Sequence, residues 1–254
     1  MIKKNPLLLY LLLFVSLPLA AVGKPPAFKV LAFYNLHVEP DHVDFANDAL
    51  VYFKRLAAEK NFQFDTTTDW SKMTTAVLHK YQVVLWLNFF PTTPEQRSAF
   101  THYMEHGGGW IGFHVAGYND KYTQWPWFVN FMGGAVFVNN NWPPLPAKLH
   151  VDPTNHPVTK HLPADYLSPA NEWYQWDPSP RLSKDVKVLV TLDAANYPLG
   201  KKNLLTSGDI PVVWTNKKYN MLYVNMGHGD KIFTDSLQNK MYEDALLWVG
   251  RRKK

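Results

Sequence analysis

The chain has 254 residues, 46% of them apolar, which suits one large domain or two small ones with a buried core. It contains no cysteine, and this excludes disulfides, lipid attachment through cysteine, thiol nucleophiles and thiolate metal sites. The formal net charge is +5, and the basic run at residues 251–254 is typical of a solvated chain end. No nucleic-acid motif accompanies that run, so we expect no nucleic-acid partner.

The first 23 residues have the pattern of a signal peptide. Lys3 and Lys4 form a short positive region, residues 7–15 are wholly apolar, and residues 21–23 are small enough for cleavage. The apolar run is shorter than the ~20 residues of a membrane-spanning helix, although an uncleaved anchor is the alternative. We therefore expect a mature domain at residues 24–254 that is periplasmic or secreted and touches the membrane only through its signal during export.

Apolar runs then alternate with segments of helical spacing. Strands are predicted at residues 28–34, 62–64, 82–87 and 109–113. Helices are predicted at residues 41–60 and 93–105, the second beginning with a Thr-Pro start signal. This alternation is typical of βαβ units and a parallel sheet, as in flavodoxin-like α/β folds.

Residues 117–184 break this pattern because proline and aromatic residues crowd together, as in Trp-Pro-Trp at 125–127 and Trp-Pro-Pro at 142–144. We expect long irregular loops here, which in compact domains are more often functional than accidental. The regular pattern resumes with predicted strands at 186–191, 212–215 and 221–224 and a helix at 238–249.

Two histidines follow predicted strands, and ligands bind at such positions in open parallel sheets. His114 follows the strand at 109–113 with small residues two before and two after it, as in a nucleophile elbow with His in place of Ser or Cys. His228 lies between two glycines, so the backbone there can approach a ligand closely. Asp230 is predicted either to orient His228 or to cap the next turn.

Glu172 is the third candidate, because it lies among the aromatic residues of Asn-Glu-Trp-Tyr-Gln-Trp at 171–176. Such a carboxylate can have a raised pKa and act as a general acid or base. Each candidate also has a structural alternative. His114 could be a hydrogen-bonded core residue, His228 could cap a strand, and Glu172 could face solvent from a half-buried strand.

Four segments resemble the ThuA-like (trehalose utilisation) family, in that family's order and across nearly all of the mature chain. They are GGGWIGFHVA at 107–116, HPVTKHLP at 156–163, NEWYQW at 171–176 and PVVWTNKKYNMLYVNMGHGDKIFTD at 211–235. The resemblance implies a class I glutamine amidotransferase-like three-layer sandwich with a mostly parallel central sheet. It also implies carbohydrate catabolism without amidotransferase chemistry, because His114 stands where the amidotransferase cysteine belongs.

Two departures from the family pattern bear on activity. Asn171 replaces the usual Asp, and residues 137–141 lack the His that commonly follows the Gly-Gly-x-Phe segment. Aromatic rings suit sugar faces, and we predict substrate binding by seven residues in or near the motifs: Trp110, Tyr118, Trp173, Tyr174, Trp176, Trp214 and Asp230.

The leading hypothesis is an enzyme acting on a small carbohydrate or an oxidised sugar derivative. Glu172 and His228 would share acid–base work, and His114 would bind or polarise the substrate. Alternatively, the two imidazoles and the carboxylate would hold a divalent metal. A non-catalytic carbohydrate-binding or interaction module on the same scaffold is the competing function, and recognition of peptide or cell wall by the Trp-Pro loops is a third. The oligomeric state has no sequence signal.

Overall fold

The computed structural model describes residues 24–120 and 122–251. The predicted signal peptide at 1–23 lies outside the described residues, as does most of the basic C-terminal run. Within the described ranges, no helix has the length and apolarity needed to cross a bilayer. The domain boundary at residue 24 stays a prediction.

The strands of the described chain, in order, are β1 (Lys29–Phe33), β2 (Gln63–Thr67), β3 (Val83–Trp86), β4 (Gly109–Phe113), β5 (Phe137–Asn140), β6 (Leu145–Val151), β7 (Asp165–Asn171), β8 (Tyr174–Trp176), β9 (Val186–Leu192), β10 (Pro211–Asn216) and β11 (Asn220–Val224). The helices are α1 (Pro40–Lys60), α2 (Thr75–Leu78), α3 (Pro94–Glu105), α4 (Pro126–Phe131) and α5 (Ser236–Arg251). Local signals set several of their ends. Thr93 and Gln96, for example, form a capping box at the start of α3.

Nine of these strands form one sheet in the order β2-β1-β3-β4-β11-β10-β9-β6-β7, and β5 pairs with β8 in a small second sheet. The strands from β2 to β11 are parallel neighbours, whereas β10, β9, β6 and β7 extend the sheet through antiparallel pairings. Successive antiparallel pairings restore the direction at every second strand, so only β10 and β6 run against the other seven. The predicted mostly parallel sheet in an α/β fold is confirmed and is consistent with a flavodoxin-like sandwich.

Helices cover both faces of this sheet, and the strand residues alternate between two cores. Along β4, Ile111 and Phe113 pack in the core that includes α1 and α5, whereas Trp110 packs in an aromatic core with α3 and α4. Because both faces are covered, the central strands are apolar throughout rather than alternating with polar residues.

The region at 117–184 is more regular than expected, because it contains α4 and the strands β5 to β8. β6 and β7 pair with each other and extend the antiparallel edge of the main sheet. Their sequences mix exposed and buried positions, so the apolar runs that mark buried strands are missing there. The prediction of long irregular loops is therefore wrong for much of this region.

Candidate functional site

Three elements that end at one edge of the sheet carry the histidines of the site. β1 leads into the start of α1 and His42, β4 leads directly into His114, and β11 leads into the loop with His228. The carboxyl ends of these strands meet because the strands belong to the parallel part of the sheet. Glu172 reaches the same place from the short connection between β7 and β8. The structure thus brings His114, Glu172 and His228 together, as the sequence predicts.

His114 is fully buried and has a left-handed backbone, with φ of 47°. Its Nδ1 lies 2.9 Å from the carbonyl oxygen of Asn225, and its Nε2 lies 3.1 Å from Oε2 of Glu172. A carbonyl oxygen can only accept, so Nδ1 carries the proton and Nε2 presents a lone pair to Glu172. Burial and the neighbouring His228 hold the pKa of His114 well below its usual value, so the ring stays neutral.

The small residues around His114 differ in role from those of a nucleophile elbow. A Cβ at Gly112 would lie 1.9 Å from the Trp110 ring, so that glycine is required by a neighbouring indole. A Cβ at Gly227 would lie 2.6 Å from the Cβ of His114, so the loop after β11 packs directly on this histidine. The unusual backbone expected of an elbow lies at His114 itself.

His228 is fully buried, yet neither of its ring nitrogens makes a hydrogen bond. Its backbone is held because Asn171 Oδ1 accepts hydrogen bonds from the N–H groups of Gly227 and His228 at 3.0 and 3.1 Å. Three carboxylates lie 3.5 to 3.9 Å from its ring nitrogens, namely Asp41, Glu39 and Glu172. Both nitrogens are therefore available to a ligand.

Glu172 connects the buried histidines to solvent, since its side chain is 12% exposed while those of His114 and His228 are 0% exposed. Its Oε1 accepts a hydrogen bond from the amide of Asn140, and its Oε2 faces the two imidazoles. Burial raises the pKa of Glu172 above its usual value of 4.5, although His228 and His42 act in the opposite direction. The carboxyl group therefore keeps a proton to higher pH than an exposed glutamate does.

His42 completes the cluster, and sequence reasoning missed it. Its ring centroid lies 4.8 Å from that of His228 and 5.2 Å from that of His114. Burial, followed by the two other imidazoles, lowers the pKa of His42 to about 3. Its position in the first turn of α1 was the available signal, because α1 starts at the carboxyl end of β1. In the sequence, His42 is indistinguishable from the other residues of an amphipathic helix.

The four side chains form a compact set of metal-binding groups. One ligand atom each from His42, His114, Glu172 and His228 can be chosen so that all lie within 4.8 Å of one another. Glu39, Asp41 and His228 form a second, more exposed group of the same kind. Neutral imidazoles beside a carboxylate can share protons with a substrate or bind a cation.

Four of the predicted substrate-binding residues lie in the core instead. Each ring is 0% exposed, and these residues are Trp110, Trp173, Trp176 and Trp214. A ring with no exposed face cannot stack on a sugar, so the prediction of direct contact is wrong for them. Trp173 instead donates a hydrogen bond from Nε1 to the carbonyl of Leu145 at 2.8 Å, which ties β6 to the Glu172 segment.

The three other predicted binding residues have different positions. Tyr174 forms a wall of the site, because its ring centroid lies 4.2 Å from that of His114. Tyr118 is half-buried and packs on Phe137, which in turn contacts Tyr174. Asp230 is exposed and pairs with Lys231 at 2.9 Å. Asp230 does not orient His228, and the Asp41 carboxylate lies beside that ring instead.

Trp142 is an exposed aromatic residue at the rim of the site. It is 61% exposed, and its ring centroid lies 5.9 Å from that of His228 in an edge-on arrangement. The Trp-Pro-Pro segment is visible in the sequence, but its proximity to His228 depends on how the loop before β6 folds over the sheet edge. Trp142 therefore offers the open aromatic face that the four core tryptophans lack.

The family model for trehalose utilisation (ThuA) matches residues 29–249. A ThuA-like protein from Bacteroides uniformis is 52% identical, with 92% of this chain and 95% of that chain covered and a TM-score of 0.85. A ThuA-like protein from Parabacteroides merdae shares 17% identity over 91% of this chain and 93% of that chain, with a TM-score of 0.64.

A β-galactosidase from Bacillus circulans shares only the fold, at 13% identity, with 86% of this chain and 31% of that chain covered and a TM-score of 0.52. No curated protein matches the sequence. The family match spans both histidine loops and the Glu172 segment. The chain therefore belongs to the trehalose-utilisation (ThuA) family.

Proposed function

We propose that this protein is an exported enzyme of carbohydrate catabolism that acts on a sugar or an oxidised sugar derivative. The observation that carries the proposal is the 3.1 Å contact between Nε2 of His114 and Oε2 of Glu172. In a neutral His114 with its proton on Nδ1, both of these atoms are acceptors. A proton on Glu172 resolves the conflict, and the raised pKa of Glu172 supports a protonated carboxyl.

A carboxyl group that shares a proton with a buried imidazole is suited to general acid–base catalysis. The pair could protonate a leaving oxygen, or take a proton from a sugar hydroxyl or from the carbon beside a carbonyl in an oxidised sugar. His228, with both ring nitrogens unbonded, is suited to bind the reacting oxygen or to be the second proton carrier. Tyr174 positions His114 by packing against its ring.

The sugar class is supported by the family and by the surface around the opening. Trp142 offers an aromatic face near His228, and the carboxylates of Glu39 and Asp41 line the rim as hydrogen-bond acceptors for hydroxyl groups. Amidotransferase chemistry is not part of the proposal, because the chain has no cysteine to act as its nucleophile.

The two departures from the family pattern, which in the sequence favour a non-catalytic binding module, are accommodated within the site. Asn171 positions the His228 loop through two backbone hydrogen bonds to its Oδ1. Asn140, in the segment without the usual His, donates a hydrogen bond to Glu172. Both substitutions therefore have partners within the site and leave the contact between His114 and Glu172 in place.

The test is turnover of a panel of neutral disaccharides and their keto derivatives by the purified protein. Glu172→Gln and His228→Ala should each lower turnover by about 100-fold or more, the usual range for loss of a general acid or base. The exposed positions supply the controls Glu59→Gln and His150→Ala, which should retain full rates. Unchanged rates in both site variants would refute the acid–base assignment. Saturable sugar binding without any product would favour the binding module.

Export has a separate test. The full-length chain should be found in the periplasm or the medium, and its first residue there should be Lys24. A protein that keeps residues 1–23 and stays with the membrane fraction would instead be anchored by them.

A further inference from the structure

The three buried histidines share one arrangement. Each has a ring nitrogen near an acceptor outside the cluster: Nδ1 of His114 lies 2.9 Å from the Asn225 carbonyl oxygen, and Nδ1 of His228 lies 3.5 Å from Asp41 Oδ2. Nδ1 of His42 lies 3.7 Å from Glu39 Oε2. The 2.9 Å acceptor of His114 sets its tautomer and leaves its Nε2 as the ligand atom, as outer acceptors do in metal-binding histidines. The contacts of His228 and His42 are longer than hydrogen bonds and place a carboxylate beside each ring.

The inner nitrogens lack partners. Nε2 of His42 and both ring nitrogens of His228 make no hydrogen bond, although these residues are only 8% and 0% exposed. Nε2 of His114 faces Oε2 of Glu172, and both atoms are hydrogen-bond acceptors when Glu172 is ionised. Unpartnered buried polar atoms destabilise a fold, and natural proteins keep them mainly where a ligand satisfies them.

The charges around the cluster also indicate a positive ligand, because negative groups predominate there. Glu172, Glu39 and Asp41 all approach the imidazoles. In the described part of the chain, each of these carboxylates has only histidine as an ion-pair partner, with no Lys or Arg within 4.0 Å. A positive ion at the centre would therefore compensate three carboxylates at once.

We infer that His42, His114 and His228, with Glu172 as fourth ligand, bind a divalent transition-metal ion of the zinc type. Three imidazoles and one carboxylate suit Zn²⁺ and its neighbours, whereas Mg²⁺ and Ca²⁺ prefer all-oxygen sites. This inference rests on the proposed function of the same pocket. In the loaded site a cation would take the place of the proton between His114 and Glu172, so that Glu172 and His228 would act as ligands rather than as proton carriers. A fifth coordination position, which catalytic zinc sites can open, would let the ion act as a Lewis acid on a sugar hydroxyl or carbonyl oxygen.

The distances fit a site that closes on its ion. Ligand atoms of a tetrahedral zinc site lie about 3.4 Å apart, given bonds of about 2.0–2.1 Å. The His114–Glu172 edge already measures 3.1 Å, and no two ligand atoms of the set are more than 4.8 Å apart. Binding therefore requires an inward movement of the outer ligands by about 1 Å, which side-chain rotation can supply.

The test measures zinc affinity by competition with a chromogenic chelator, on tag-free protein. All variants carry His106→Ala, because exposed His102 in α3 and His106 directly after that helix have ring centroids 3.8 Å apart and could bind zinc themselves. We expect about one equivalent in this background. His42→Ala and His228→Ala should weaken binding by about 100-fold or more, and Asp41→Asn by about tenfold through the outer contact. His150→Ala, an exposed control, should bind as the background does.

Equal zinc affinity in His42→Ala, His228→Ala and the background would overturn the inference. Circular dichroism checks that the variants fold, and Asp41→Asn, at a partly exposed rim position, gives a readout that does not depend on a buried substitution. Sugar turnover that persists after complete chelation would overturn the Lewis-acid role of the ion while leaving the acid–base proposal intact. Stoichiometric zinc binding that depends on the named ligands, without turnover of any sugar, would support the inference and refute the proposed enzyme.

Discussion

Gly227 lies directly against His114, and a Cβ at position 227 would come within 2.6 Å of the Cβ of His114. The backbone of the loop after β11 therefore replaces a side chain in the packing of the site. The same loop carries His228, so one glycine sets the separation between two of the clustered imidazoles. Their ring centroids lie 5.3 Å apart.

Gly227→Ala should damage the site more than the fold. We expect the free energy of unfolding to fall by about 1–3 kcal/mol, the usual effect of overpacking a buried position, and the distance between His114 and His228 to increase. Zinc affinity and sugar turnover should both decrease. Gly134→Ala is the matched control, because that glycine has a positive φ with no atom within 4 Å of the added Cβ. It should cost about 1–2 kcal/mol through backbone strain alone and leave the site intact. Equal effects of the two variants on the site would contradict the packing argument.

Glu172→Gln should stabilise the metal-free protein once the pH exceeds the raised pKa of Glu172. The pKa of Glu172 is raised in the folded state, so the folded protein binds more protons than the unfolded chain above about pH 4.5, and stability falls as pH rises through the folded pKa. Each unit of elevation corresponds to about 1.4 kcal/mol. Glutamine does not ionise, so the variant does not lose stability in this way. Its amide nitrogen can also donate to Nε2 of His114 while its oxygen accepts from Asn140. Urea unfolding in the presence of a chelator should show that the variant is more stable than wild type above the folded pKa of Glu172 and similar to wild type below about pH 4.5. A variant that is less stable than wild type at the highest pH tested would contradict this account.

His42→Gln should reduce the acid sensitivity of the protein. Burial lowers the pKa of His42 to about 3, so between about pH 6.5 and 3 the unfolded chain binds a proton that the folded protein does not. The contribution of His42 to the free energy of unfolding is fully present above pH 6.5. It is lost as pH falls, with a slope of up to about 1.4 kcal/mol per pH unit. The variant should show a shallower decline in urea unfolding across that window. His150→Gln, at an exposed site, should follow wild type. Parallel curves for wild type and His42→Gln would argue against a buried neutral imidazole.

Trp142→Ala should weaken sugar binding without destabilising the fold. Loss of one stacking face is expected to raise the dissociation constant by about tenfold, equivalent to about 1.4 kcal/mol. The side chain is 61% exposed, so the free energy of unfolding should change by no more than about 0.5 kcal/mol. Titration calorimetry with the best substrate of the panel measures the effect. Leu182→Ala, which removes another exposed apolar side chain, should bind sugar as wild type does. Unchanged affinity in Trp142→Ala would remove this residue from the site.

Sequence periodicity predicted the strands before residue 114 and the helices α1, α3 and α5, because those signals act over a few residues. The rule that ligands bind at the carboxyl ends of parallel strands identified His114 and His228, and the aromatic surroundings identified Glu172. The same rule could have found His42, but its apolar helical surroundings hid it. The antiparallel edge formed by β6 and β7 escaped prediction, since its strands have mixed rather than wholly apolar faces.

The amino-acid sequence by itself determined the α/β class, the family, the absence of thiol chemistry, and three of the four polar residues of the site. Only the tertiary structure decided which tryptophans are buried, because strand alternation assigns Trp110 to one face of β4 but does not say that α3 and α4 cover that face. Only the folded chain brings His42 and His228, 186 positions apart in the sequence, into ring contact at 4.8 Å. Contacts across such separations depend on strand order and loop packing, which local residue patterns do not encode.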